Sequence, residues 1–112
     1  MTKTIYIAGK ISGLNYTATF LKFWLREKLL WCSGFRPINP MRIVPKSWPY
    51  EKQMDLCLDL VALSDCIYLS DNWRNSDGAR RELAHHFCVG KNSIYQFKIL
   101  LGICTIDITH NI

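Results

Sequence analysis

The stretch Ser76-Asp-Gly-Ala-Arg-Arg-Glu82 sets a carboxylate six residues after a hydroxyl and four after a glycine. Ser76 or Asp77 can cap a helix, which puts Glu82 in its second turn, facing back toward the preceding loop. A carboxylate held near a helix start and a sheet end suits nucleophilic work. Glycoside chemistry needs such a group, to attack a sugar carbon or to stabilise an oxocarbenium-like centre. The competing reading is a solvated helix glutamate paired with Arg81 or Lys91, and spacing alone favours that one. A second stretch, Gly9-Lys-Ile-Ser-Gly13, follows an apolar run. Its glycines let the backbone approach an anion, and Lys10 or Ser12 can contact a phosphate. It is neither the six-residue dinucleotide fingerprint nor a Walker loop, and a strand-to-helix turn needs glycine for shape alone.

Trp73, in the polar Asp71–Asp77 loop, is a candidate to stack on a base, or else a residue packed under that loop. Trp48, among prolines, is placed to close a pocket from the other side. His85 and His86 follow Glu82 by one turn and read as surface or interface residues. Arg80 and Arg81 either bind phosphate or balance charge. The five cysteines include no Cys-x-x-Cys pair and sit in apolar contexts, which reads as buried reduced thiols. His85, His86 and Cys88 lack a second ligand pair, so no metal site and no cofactor is expected.

The elements that must position these residues follow from periodicity. Thr4–Ala8 is apolar throughout, as a buried parallel strand is. A helix spans Tyr16 to Cys32, with Phe20, Leu21, Trp24, Leu25 and Trp31 on one broad face and Lys22 and Arg26 on another; Gly34 ends it. Arg36–Pro40 is a short strand and 41–49 a loop. A helix from Tyr50 to Leu63 repeats Met54, Cys57, Leu58 and Val61 at helical spacing. Asp65–Leu69 is a third strand, Asp77 to Val89 a third helix ended by Gly90, and Ser93–Phe97 a fourth strand. This βαβαβαβ order predicts a single-domain α/β fold, flavodoxin- or Rossmann-like, with a parallel sheet of four or five strands and helices on both faces. The domain spans 1–97, and 98–112 is a tail that forms an extra strand or a subunit contact. Loops 9–13, 40–49 and 71–78 gather at the carboxyl ends of the strands, where such sheets bind ligands.

The 112 residues make one domain, and 49% hydrophobic with 21% charged content excludes a disordered chain. The net charge of +5 points to anionic partners. No basic helix or aromatic-basic ribbon supports a nucleic-acid partner. The Ile5–Ala8 run is too short for a signal sequence and no stretch suffices to span a bilayer, so a cytoplasmic protein without a membrane partner is expected.

Ile5-Tyr-Ile-Ala-Gly-Lys-Ile-Ser-Gly13, taken with Ser76-x-Gly78-x-x-x-Glu82, resembles the nucleoside 2-deoxyribosyltransferase-like superfamily. Asn39-Pro-Met41 and Asn72-Trp-Arg-Asn-Ser76 resemble its short branch of unknown function, often met in phage genomes. The likeness covers about residues 4–97. It implies that Glu82 is the nucleophile at C1′, that Tyr6 orients it and that Asp65 lies near the site. Serine at 76 resembles the deoxynucleoside 5′-monophosphate N-glycosidases, where it serves the phosphate. With Gly9, Lys10, Ile11, Ser12, Gly13, Asn39, Trp73 and Gly78 it makes the implied binding set. The implied partner is a nucleotide or nucleoside monophosphate, held in a homo-oligomer whose sites a neighbouring subunit completes. Two functions follow. One is an N-glycosidase that cleaves the base–sugar bond, with a base-exchanging transferase as its near variant and Asp65 or Asp77 as the acid. The other is a phage nucleotide-binding protein without turnover, which sequesters a cyclic nucleotide or ADP-ribose-type immune signal.

Overall fold

In a computed structural model, residues 2–91, 93–100 and 103–110 are described, with side chains through residue 96. The chain runs β1 (Thr4–Ala8), α1 (Tyr16–Cys32), β2 (Arg36–Ile38), α2 (Pro40–Ile43), α3 (Tyr50–Leu63), β3 (Cys66–Leu69), a 3₁₀ turn (Trp73–Asn75), α4 (Asp77–Cys88), β4 (Ser93–Leu100) and β5 (Ile103–His110). The strands form one sheet in the order β2-β1-β3-β4-β5. The first four pair in parallel and β5 pairs antiparallel to β4. The expected α/β architecture therefore stands. Residues 98–112, read as a tail, contribute the end of β4 and the antiparallel β5.

Period-two alternation along β1 and β3 splits the core into two layers. Tyr6, Ala8, Ile67 and Leu69 pack with Cys57 and Val61 of α3 and with Ala79 and Leu83 of α4. Ile5, Ile7, Cys66 and Tyr68 face the other way, onto Phe23 and Leu30 of α1. Tyr6 is thus aimed at the α3–α4 side by its register alone.

Four departures from the sequence reading have local causes. Pro40–Ile43 is a helical turn and not a loop, because the Asn39 side chain accepts from the Met41 N–H at 3.0 Å and Pro40 is pre-set for a first helical position. On α1 the buried stripe is Thr19, Phe23 and Leu30, while Leu21, Trp24, Leu25 and Trp31 are exposed. Apolar residues occur all round that helix, so periodicity could not select the face that meets the sheet. Cys32 and Cys88 are exposed, unlike Cys57 and Cys66. His86 is fully buried and not a surface residue.

The helix ends are satisfied locally. Asn15 caps α1 and Ser76 caps α4, each accepting an N–H three residues on. The Lys91 ammonium donates to the carbonyls of Ala62 and Ser64, at 2.6 and 2.5 Å, and so caps the end of α3. Among the described residues no helix is long and apolar enough to cross a membrane.

Gly9 ends β1 for a steric reason. A Cβ there would stand 2.6 Å from the Ser70 Oγ and 2.8 Å from its Cβ, at the end of the adjacent β3. At Gly78 the same atom would meet Met54 Sδ at 3.4 Å and Tyr50 Oη at 3.5 Å, which is ordinary contact. Gly9→Ala is therefore expected to destabilise the fold by about 1–3 kcal/mol, while Gly78→Ala is neutral or mildly stabilising, because alanine favours a helix. Urea unfolding of both variants checks the contrast; equal stability would mean that the β1–β3 approach is looser than described.

Candidate functional site

Glu82 is delivered by α4 and Tyr6 by β1, and their side chains meet. The Tyr6 hydroxyl donates to Glu82 Oε2, with both residues buried. Burial pushes the Glu82 carboxyl from its ordinary 4.5 up to about 7, against the opposing effect of the Tyr6 hydrogen bond. Burial, reinforced by the nearby carboxylate, raises the Tyr6 phenol well above its usual value, so it stays protonated and remains a donor.

Glu82 closes the floor of a cleft of about 280 Å³. One wall is the loop from Gly9 to Ser12, another is the α4 start from Ser76 to Ala79, and the third is α3 through Tyr50, Gln53, Met54 and Cys57. The Lys10 N–H donates to the Asn72 side chain at 3.2 Å, which ties the first loop to the third. Across the mouth the Tyr50 hydroxyl donates to Asp77 Oδ2 at 3.1 Å. A second cavity of about 360 Å³ adjoins the first and shares Ile11, Gln53 and Cys57 with it. Its far wall holds Tyr16, Met41, Val44 and Lys46, and the Lys46 ammonium lies 4.3 Å from the Tyr16 ring centre. The Gln53 amide donates to the carbonyls of Pro45, Lys46 and Trp48, fixing the 45–48 loop against α3.

The residues singled out from sequence divide accordingly. Glu82, Tyr6, Gly9, Lys10, Ile11, Ser12, Ser76 and Gly78 come together at the cleft. Ser76 both caps α4, accepting from the Ala79 N–H at 3.1 Å, and lines the cleft. Four do not join them. Asp65 sits at the opposite end of the sheet, where its carboxylate accepts from the Thr4 N–H at 2.9 Å and the Thr4 hydroxyl at 3.1 Å. Those bonds hold its pKa low and lock the starts of β1 and β3 together. Asn39 is consumed by capping α2 and by donating to Glu27 Oε1 at 2.9 Å. Trp73 packs, partly buried, against the α3–α4 core and lines neither of these two cavities. Gly13 serves the turn with φ +78° and lies outside the cleft wall. The cleft residues missed on α3 were Tyr50, Gln53, Met54 and Cys57. The Met54-Cys57-Val61 stripe reads as core along its whole length, and the position of α3 beside the strand ends turns its first half into a cleft wall.

A family model described as a domain of unknown function, DUF4406, matches residues 3–95. The chain belongs to the DUF4406 family. No curated protein matches the sequence. Among solved structures, this DUF4406 chain is similar to a 2-desoxiribosyltransferase from Leishmania mexicana, with a TM-score of 0.59 and 20% identity. The match covers 88% of this chain and 65% of that one, so the chain spans under two thirds of that protein's length. At that identity the likeness shows a nucleoside deoxyribosyltransferase-like fold. Among the described residues of the DUF4406 domain no cluster of His, Cys, Asp and Glu has the make-up of a metal site.

A carboxyl whose pKa is higher folded than unfolded stabilises the fold fully at low pH, and that contribution is lost as pH rises through the folded value. For Glu82 the window runs from about 4.5 to about 7. Glu82→Gln removes the ionised form and keeps an acceptor for Tyr6. The variant is expected to match the natural protein below about pH 4 and to exceed its stability by about 3 kcal/mol above pH 8. Denaturant midpoints across that range check it, and parallel pH curves for the two proteins would refute the buried, neutral-leaning carboxyl.

Proposed function

We propose that this DUF4406 protein is an N-glycosidase acting on a (deoxy)nucleoside 5′-monophosphate. The observation that carries the reading is the buried Tyr6–Glu82 pair at the floor of a cleft framed by a glycine loop and a helix N-terminus. Near neutral pH Glu82 is divided between its two protonation states, which suits a group that must be ionised to attack and neutral to leave.

In the proposed reaction the ionised Glu82 attacks C1′ of the sugar. The C1′–N bond breaks, its electron pair stays with the base, and the base takes a proton. A glycosyl ester on Glu82 remains. Water then adds its oxygen to C1′, returns a proton to the site, and frees the sugar phosphate and the carboxylate. Tyr6 stays a donor throughout and turns one carboxylate oxygen away from the sugar. Of the two carboxyls considered as the acid, Asp65 is at the wrong end of the sheet and Asp77 is in the cleft wall, so Asp77 takes the role. The 5′-phosphate lies by Lys10, Ser12 and the α4 N-terminus, where free N–H groups and the helix dipole favour an anion.

The test is incubation with a panel of deoxynucleoside and ribonucleoside monophosphates, with released base followed by chromatography. The natural protein is expected to free one or more bases and Glu82→Gln none, with a loss of at least about a thousandfold. Ser76→Ala is expected to weaken binding of the monophosphate by about 1–3 kcal/mol and to leave the unphosphorylated nucleoside nearly unaffected. Ligand that binds and is recovered intact with every nucleotide tested would replace the hydrolase with a sequestering protein. Equal losses for nucleoside and nucleotide would reduce Ser76 to a helix cap.

A further inference from the structure

α1 is apolar on two opposite sides. One side carries Thr19, Phe23 and Leu30 onto the sheet. The other carries Leu21 at 58% exposed, Trp24 at 40%, Leu25 at 47% and Trp31 at 61%. From 21 to 32 the exposed positions are 21, 24, 25, 28, 31 and 32, a single stripe along the helix. Leu21 is repeated seven residues on by Lys28, Trp24 by Trp31 and Leu25 by Cys32. That is the spacing with which one helix packs along another. α3 and α4 have such a neighbour in each other, on the cleft side of the sheet. α1 lies on the other side, where among the described residues the only further helix is the single turn α2, through Met41.

We propose that this stripe docks a second copy of the chain, with the two α1 helices antiparallel about a two-fold axis near residue 26. An isologous contact must be self-complementary, and this register is. It sets Leu21 against Trp31 of the second copy, and Trp24 against its Lys28. Lys28 is the one charge in the stripe and lies 5.6 Å from its own Trp24 ring centre, so in the pair its ammonium stands between two indoles. The charges flanking the stripe are matched within the chain, Lys22 by Asp71 at 2.8 Å and Glu27 by Arg42 at 2.6 Å. A lipid surface or an acidic partner would be drawn by free cations beside the apolar face; a like apolar face needs none. The four apolar side chains offer roughly 400 Å² per copy, the size of patch that marks an interface on a monomer. The dimer is expected to dissociate in the micromolar range, since that area is well below a standard interface. The stripe faces away from Glu82 across the sheet. The pairing therefore adds no residue to either cleft and stands independently of the glycosidase reading.

Sedimentation velocity of the full chain, from about 1 to about 200 µM, reads the outcome. The natural protein is expected to form a dimer or an even multiple of it. Leu21→Glu and Trp31→Lys, both at exposed positions, are each expected to weaken the pairing at least about tenfold, because each sets an unpaired charge against an apolar side chain. Combined in one chain they are expected to restore it, since the register places each introduced carboxylate against the other copy's introduced ammonium. Circular dichroism checks that each variant is folded. Should one fail to fold, Trp24 decides by sign: Trp24→Lys faces Lys28 of the other copy and is expected to pair at least about tenfold more weakly than Trp24→Glu. A natural protein that stays monomeric throughout, or an assembly unchanged by either single variant, would overturn the proposal. A double variant no tighter than the single ones would overturn the antiparallel register and the proposal with it. Monomeric protein that pellets with phosphatidylglycerol–phosphatidylcholine vesicles would assign the stripe to a membrane surface instead.

Discussion

A carboxyl group out of water resists ionisation, and the arrangement around Glu82 is organised by that cost. Glu82 is 6% exposed on a helix whose other buried residues are Ala79, Leu83 and His86, none of which can neutralise it at neutral pH. Its support comes from the sheet, from a phenol on β1. β1 and α4 must dock in one register for the carboxyl to meet that partner. Tyr6 reaches it because even-numbered residues of β1 face α3 and α4, and a slip of one residue would turn the phenol toward α1.

The rest of the cleft follows from how closely the strand ends pack. Gly9 permits β1 to end against Ser70 of the neighbouring connection, where any side chain would hold the two apart. The same approach lets Asn72 catch the Lys10 backbone N–H. At the far end of the sheet Asp65 ties β3 to Thr4 of β1 and keeps the same two strands in step. Residues at the two ends of one strand pair thus have different tasks, one shaping the cleft and the other fixing the register on which the cleft depends.

The architecture was legible because the apolar runs at 4–8 and 65–69 and the helical spacing of 54, 57 and 61 are period signals, and these survive in the fold. So was the carboxylate near the α4 start, since capping by Ser76 is a local event. Contacts between elements distant in sequence were not legible. Nothing near Asp65 in the chain tells which end of the sheet it occupies, because the residue stands one position before β3 begins. Asn39 carries a site-like motif, yet its amide is spent on Met41 and Glu27. Trp73 lies in a polar stretch and is drawn onto the core by the short 3₁₀ turn that contains it. On α1 the exposed Trp24 and Trp31 misled the assignment of its buried face.

With its carboxyl pushed up to about 7, the cleft at neutral pH is a mixture of two populations that differ by one proton. A ligand that needs the ionised form meets only part of the protein, and its apparent affinity falls by that fraction. The fraction is governed by how thoroughly water is excluded, which is the work of Ala79, Leu83 and the strand residues behind them. Substitutions in this apolar layer, with no contact to any ligand, would shift the balance between the two populations. The pH at which the cleft is ready is therefore a property of the core, open to adjustment while the residues that touch the ligand stay as they are.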